Sequence, residues 1–417
     1  MTEQKKIRLR AFENARSQRH ITSEDRYLYK APVPQHHLAI IGTGTIGQEH
    51  MRVTHLLGRA KIHGIFDIQS HSMDIAAKEF SRYDSQTLVR YESIDDLCAD
   101  DRVDAILICT PNFTHFDVLN TVIHTGKPIF LEKPMATSLA DAKAIADIST
   151  RYSSFIQIGL QYRYKAQYVE AFHEALERKT LGSIKTISVS EYRPPFLDKV
   201  KQWNKFNVFS GGTLVEKCCH YFDLINLMAQ ARPCRVFASG GQAVNFLDFE
   251  KDGKKSDIDD HSFVIIEYEN GVRANFTLNM FCPDFDEEMI VVGERGRLIA
   301  SEKVAFQHQK PTKTSLTIEL GEQAASRKQD LAYPAVIESS GHHGSTYYEH
   351  IAFLDQLEGK HVASATVQEG IWAMVVASAA QQSMLSGEAI DIAEFTKEHE
   401  LTTVLKGQAS ISRKQST

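Results

Sequence analysis

The sequence predicts an α/β protein of two domains: an N-terminal doubly wound parallel sheet, then an α/β domain on a large, open, mostly antiparallel sheet. Three observations carry this prediction. Short apolar runs alternate with helical segments from Leu38 to about residue 159, a glycine cluster closes the first run, and beyond residue 183 strands follow one another through hairpin turns. At 417 residues the chain exceeds one ordinary core. The divisions expected are a polar arm over 1–35, a first domain over 36–159, a second over 160–395 and a tail over 396–417.

In the first domain the runs 38–42, 62–66, 104–109, 128–131 and 154–159 have the length and continuous apolarity of buried parallel strands. Helices are expected near 46–58, 71–80, 94–99, 115–124 and 138–151, the last opened by a Ser138/Asp141 cap. In the second domain, strands are expected at 183–191, 235–244, 262–268, 272–280, 289–293 and 298–302. Glu269-Asn270-Gly271 and Glu294-Arg295-Gly296 supply hairpin chemistry between them. Helices are expected near 166–177, 214–229, 346–358 and 367–385.

A net charge of −6, without a long basic run in the body, argues against nucleic acid as the main partner. No apolar run has membrane-spanning length, and the N-terminus lacks a signal-peptide core. The six cysteines contain no Cys-x-x-Cys pair, so reduced thiols in a cytoplasmic setting are expected.

Gly42-Thr43-Gly44-Thr45-Ile46-Gly47 follows the strand Leu38–Ile41 and opens a helix. In this context Gly42 makes a tight turn, Gly44 lets a pyrophosphate reach the backbone, and Gly47 permits close helix–strand packing. The phosphates would rest on the helix N-terminus. Asp67 ends the next strand, where a carboxylate can accept both ribose hydroxyls. The pattern is that of a Rossmann dinucleotide site. Asp67 would repel a 2′-phosphate and Ile68-Gln69-Ser70 offers no cation, so NAD is favoured over NADP.

Two later strand ends complete that crevice. Cys109-Thr110-Pro111-Asn112-Phe113-Thr114-His115 and Glu132-Lys133-Pro134 both sit where ligands of such sheets bind. Thr110, Pro111, Asn112, His115, Glu132 and Lys133 are thereby expected beside the cofactor. A Lys-Pro bond is able to be cis. In Gly211-Gly212-Thr-Leu-Val-Glu216-Lys-Cys-Cys-His220-Tyr-Phe-Asp223, one helix would stack Glu216, His220 and Asp223 on a single face. An imidazole with a pKa of about 6.5 suits proton transfer near neutral pH.

GTGTIG, Thr110-Pro111-Asn112, EKP at 132–134 and GGTLVEKCCHYFD at 211–223 resemble the glucose-fructose oxidoreductase / inositol dehydrogenase / MocA family over about residues 37–395. The resemblance implies hydride exchange between NAD(P) and a sugar, cyclitol or related hydroxyl compound. It implies that Lys133 and His220 act at the reacting carbon, supported by Glu216. This chain departs from the family at Glu216, usually Asp, and at Cys218, often Gly. Two other readings fit the same motifs: an NAD-retaining glycosidase of the family and a catalytically silent NAD sensor.

Gln161, Tyr162, Arg163 and Tyr164 follow the last strand of the first domain and should enter the cleft; for Arg163 a domain-joining salt bridge is an equal alternative. Asp223 is either a substrate contact or a structural hydrogen-bonding group. His342 is a substrate-hydroxyl candidate, and Thr346 with Glu349 fits a capping box. No metal is expected, because no paired ligand spacing accompanies the histidines. The partners expected are a small polyhydroxy substrate and a second copy of the chain, through the open sheet, in a homodimer or homotetramer.

Overall fold

The computed structural model describes residues 33–305, 312–321 and 325–405. Most of the expected arm and the tail from 406 onward lie outside these residues.

The first domain holds six parallel strands: β1 (His36–Ile41), β2 (Ala60–Phe66), β3 (Val89–Arg90), β4 (Ala105–Ile108), β5 (Ile129–Glu132) and β6 (Ile156–Gly159). Their spatial order, β3-β2-β1-β4-β5-β6, reverses direction between β1 and β4, which is where a doubly wound sheet opens its crevice. Ala105–Ile108 and Ile129–Glu132 are buried throughout, as strands covered on both faces must be. Helices α1 (Thr45–Leu57), α2 (Ser70–Phe80), α3 (Ile94–Ala99), α4 (His115–Val122) and α5 (Leu139–Ser149) cover the sheet. Ser138 caps α5 by accepting from the Asp141 amide. The two-residue β3 lay below the length at which apolar patterning is visible.

After α6 (Ala166–Phe172) and a π-turn at His173–Glu177 comes the second sheet. Its strands are β7 (Ile184–Tyr192), β8 (Pro233–Gly241), β11 (His261–Tyr268), β12 (Arg273–Asn279), β13 (Phe285–Gly293), β14 (Gly296–Val304), β15 (Lys313–Glu319), β16 (Arg327–Leu331) and β17 (Ile390–Asp391). A small separate hairpin pairs β9 (Glu250–Lys251) with β10 (Lys254–Lys255). The nine-stranded order is β16-β15-β14-β13-β7-β12-β11-β8-β17, antiparallel except between β7 and β12. In β11, Ser262, Val264, Ile266 and Tyr268 are buried, while Phe263 and Ile265 alternate outward with Phe237 of β8.

The remaining helices are α7 (Asn207–Ser210), α8 (Thr213–Glu216), α9 (Cys219–Ala229), α10 (Ala335–Glu338), α11 (Ser345–Leu357), α12 (Val367–Ser386) and α13 (Ile392–Glu398). Two expectations are corrected here. The helix expected over 214–229 is two helices, broken at Lys217 and Cys218. The break falls where Lys217 turns to an ion pair with Glu191 of β7 (3.2 Å), and two cysteines of modest helix propensity follow. Glu216 therefore closes α8, and only His220 and Asp223 share a helix. The packed chain also runs past 395: α13 crosses that boundary, and Leu401 and Val404 are buried beyond it.

Candidate active site

The glycine turn is built as its residue types require. Gly42 sits at φ +96°, and a Cβ there would lie 2.6 Å from the Cys109 carbonyl carbon. A Cβ on Gly47 would come within 2.1 Å of Gly42 O, so the helix lies directly on the turn. Gly44 is the opposite case: a Cβ there would meet nothing within 4 Å. That open approach, beside α1 amides that carry no side-chain cap, fits a pyrophosphate. Thr45 is exposed and Ile46 half-buried at the same turn.

Asp67 is tied into this turn. One carboxylate oxygen accepts from the Thr43 amide (2.8 Å) and the other from the Gln69 amide (2.9 Å). The Thr43 hydroxyl also donates to the first oxygen (3.2 Å), and the second keeps a lone pair for a ribose hydroxyl. Arg90, at the end of β3, comes within 3.4 Å of Ser70 O but pairs with Asp74 (2.6 Å). This neighbour arrives from the next strand, so no local motif announces it.

The two strand-end segments brace one another. Both ring nitrogens of buried His115 meet backbone carbonyls, of Pro134 (2.8 Å) and Thr110 (2.9 Å), so His115 ties the Thr-Pro-Asn turn to the Lys-Pro turn. Asn112 donates to Ser210 O (3.3 Å) in the second domain. The Lys133–Pro134 peptide is cis. Glu132 accepts from His50 (2.9 Å) and from the Lys133 amide (3.1 Å). Burial alone would raise the Glu132 pKa, but His50 and Lys133 hold it low. His50 also meets His350 of α11 (2.6 Å), so this buried chain joins the two domains.

On the other wall, Gly211 (φ +84°) and Gly212 (φ +87°) let the backbone approach protein on both sides. A Cβ on Gly211 would lie 3.1 Å from Thr137 O, and one on Gly212 would lie 1.9 Å from Gln381 Nε2 of α12. This places α8 so that Lys133 Nζ donates to Glu216 O (3.1 Å). Glu216 is buried, and its Oε2 has no partner among the described residues. Burial raises its pKa against the pull of Lys133, Lys199, Arg193 and Lys217. His220 is buried with Nδ1 unpartnered, and its ring lies flat on Tyr162, with centroids 4.1 Å apart and planes within 7°. Burial, then Lys133, Lys217, His342 and Lys165, push its pKa well down. Gln161 is buried with Oε1 unpartnered.

Arg163 and Asp223 form a two-pronged buried ion pair (2.6 and 2.5 Å), and Arg163 also reaches Glu369 (3.1 Å). Their charges are thus spent on each other, fastening α9 to the segment after β6 and to α12. His342 pairs with Glu49 of α1 (2.7 Å). Thr346 donates to the same Glu49 oxygen (2.6 Å), and the N-cap of α11 is Gly344. The expected Thr346/Glu349 box is therefore absent, because Glu49 takes the hydroxyl; the capping box that forms is Thr366/Glu369 on α12. Among the described residues no group of three His, Cys, Asp or Glu could hold a metal ion, and no helix is long and apolar enough to cross a membrane. Tyr162 stands in the cleft segment expected from the sequence, whereas Lys217 and Lys199 carried no sequence signal, because their places at the site come only from tertiary packing.

A doubly wound sheet with a phosphate-ready glycine turn and a lysine at a strand end, facing an imidazole from a second domain, defines a two-domain dinucleotide-dependent oxidoreductase. The chain belongs to the GFO/IDH/MocA oxidoreductase family: residues 36–160 match its NAD-binding Rossmann fold and residues 173–392 its C-terminal alpha/beta domain. It is 24% identical over 268 residues to myo-inositol 2-dehydrogenase of Thermotoga maritima, covering 63% of this chain and 74% of that one. It is 24% identical over 364 residues to the uncharacterized oxidoreductase YrbE of Bacillus subtilis, covering 86% and 97%. The fold matches levoglucosan dehydrogenase, solved in complex with NADH, with a TM-score of 0.70 at 16% identity, over 86% of this chain and 99% of that one.

Proposed function

We propose that the chain transfers a hydride between NAD and a secondary hydroxyl, or the matching carbonyl, of a sugar, cyclitol or related polyol. The observation that carries this reading is a set of buried polar atoms without partners among the described residues: Glu216 Oε2 and His220 Nδ1, on groups that feel the Lys133 charge, and Gln161 Oε1 after β6. Such atoms cost stability unless a ligand satisfies them, and a polyhydroxy compound presents matching groups. The residues of the glycine turn and Asp67 would hold the dinucleotide, and Asp67 favours NAD over NADP. Held there, NAD would supply the hydride acceptor for the carbinol carbon.

Lys133 hydrogen-bonds the substrate oxygen and stabilises it as its charge develops. His220, kept neutral by burial and its cationic neighbours, receives the hydroxyl proton as the carbonyl forms. Glu216 orients a neighbouring hydroxyl. Arg163 and Asp223 hold α9 in place. The exposed Phe237, Phe263 and Ile265 support pairing with a second copy through the open sheet. The test is a panel of sugars, cyclitols and sugar acids with NAD or NADP, followed by absorbance of the reduced cofactor. Steady reduction of NAD by at least one polyol is expected. No reduction by any compound, or a preference for NADP, would sink the corresponding part.

A further inference from the structure

We propose that Tyr162 and Lys217 are positioning residues for His220: Tyr162 is the platform that sets the imidazole plane, and Lys217 locks that platform and supplies positive charge beside the ring. The proposal rests on the reading of His220 as the acid/base. A histidine in that role is ordinarily oriented by a hydrogen bond to its second nitrogen. Among the described residues His220 has no such bond: Nδ1 is buried and unpartnered, and the nearby Asp223 is held by Arg163. The contact that does fix the ring is the parallel stack on Tyr162 at 4.1 Å.

Tyr162 is itself held on every side. Its hydroxyl accepts from Lys217 Nζ (2.5 Å), which is anchored to fully buried Glu191 (3.2 Å). Lys165 Nζ lies 4.4 Å from the Tyr162 ring centre, fixed by Glu287 (2.6 Å) and Glu302 (2.7 Å). Tyr221 packs edge-on against the same ring, 5.5 Å away, and donates to Glu287 (2.7 Å). The charged groups facing His220 are Lys133 after β5, Lys165 before α6, Lys217 between α8 and α9, and His342 before α11. All oppose a proton on the ring, and of these Lys217 hydrogen-bonds the Tyr162 hydroxyl while Lys165 lies over the Tyr162 ring.

The test compares wild type with Lys217→Met, Tyr162→Phe and Tyr162→Leu, with thermal melting and NAD titration as checks on folding. In the oxidation direction, activity rises with pH as His220 loses its proton. Lys217→Met should move that limb ~0.5 unit or more to higher pH, because one opposing cation is gone. Tyr162→Leu should lower kcat ~10-fold with KM nearly unchanged, while Tyr162→Phe, which keeps the stack, should retain most of it. An unmoved limb in Lys217→Met, or equal losses in the Phe and Leu variants, overturns the proposal. If no polyol reduces NAD, the functional reading fails instead. The His220 ring-proton titration by NMR, assigned with His220→Asn, then decides: an upward shift in Lys217→Met supports the Lys217 role, and an unmoved titration overturns it.

Discussion

The two walls of the cleft are built on opposite principles. On the cofactor wall the glycine turn satisfies itself: Asp67 accepts from Thr43 and Gln69, Gly47 packs on Gly42, and Gly44 alone leaves room. On the substrate wall Glu216, His220 and Gln161 keep buried polar atoms without partners, among lysines of which Lys199 makes no ion pair among the described residues. Each such atom costs about 1–3 kcal/mol when left dry. On the proposed function, a wall that meets one constant ligand can be closed in advance, whereas the wall assigned to substrate holds its hydrogen-bonding capacity in reserve. Stability and activity therefore pull apart on one wall and run together on the other.

His220→Ala tests the open wall and should have the largest effect. Loss of the proton acceptor should lower kcat by ~10²–10⁴-fold, with NAD affinity within about twofold of wild type. Because the ring carries an unpartnered buried nitrogen, the melting temperature should fall less than the lost stacking area alone would suggest. Turnover close to wild type would remove His220 from the chemistry, and a parallel collapse of NAD affinity would mark it as structural.

The closed wall is tested by two glycines with opposite surroundings: Gly44, which faces open space, and Gly47, which faces Gly42 O. Gly44 has an ordinary negative φ of −67°, so Gly44→Leu should fold normally while its side chain fills the phosphate approach. NAD affinity should drop ~10-fold or more, since the amides can no longer be reached. Gly47→Ala puts a methyl 2.1 Å from Gly42 O and should cost ~1–3 kcal/mol of stability in addition to weakening binding. Calorimetric titration and thermal melting separate the two. Equal losses of stability in both variants would show that Gly44 is not the open position.

Legibility in the sequence follows the same division. The glycine turn, the strand ends at Thr110 and Lys133 and the Ser138 cap were readable because each is set by residues adjacent in the chain. The substrate wall was readable in composition but not in geometry. A periodicity of i, i+4, i+7 placed Glu216, His220 and Asp223 on one face, yet the break at Lys217 is produced by Glu191 and Tyr162, which lie far away in sequence. Asp223 stayed ambiguous until Arg163, sixty residues earlier, was seen to occupy it. Thr346 and Glu349 had capping-box spacing, and only the arrival of Glu49 from α1 shows why the box does not form. β15 and β16 escaped notice because polar edge strands such as Arg327–Leu331 carry little apolar alternation.

Glu49→Gln probes the seam behind both walls and should give the smallest, most pH-dependent effect. Burial would raise the Glu49 carboxyl, but His342 by charge and hydrogen bond, then Thr346 and His50, bring it down to about 2. A depressed carboxylate contributes stability above its unfolded pKa of about 4.5, and that contribution is lost as pH falls toward 2. At pH 7 the full contribution is on the order of 3 kcal/mol, and Gln keeps part of it because its carbonyl still accepts from Thr346. Glu49→Gln should therefore melt several degrees below wild type at pH 6, with the gap narrowing steadily as pH is lowered through 4 toward 3. A gap that stays constant with pH would show that the seam is held by packing of α1 on α11 rather than by the charge on Glu49. The cofactor wall, which hangs on the same helix α1, would then be insulated from acid.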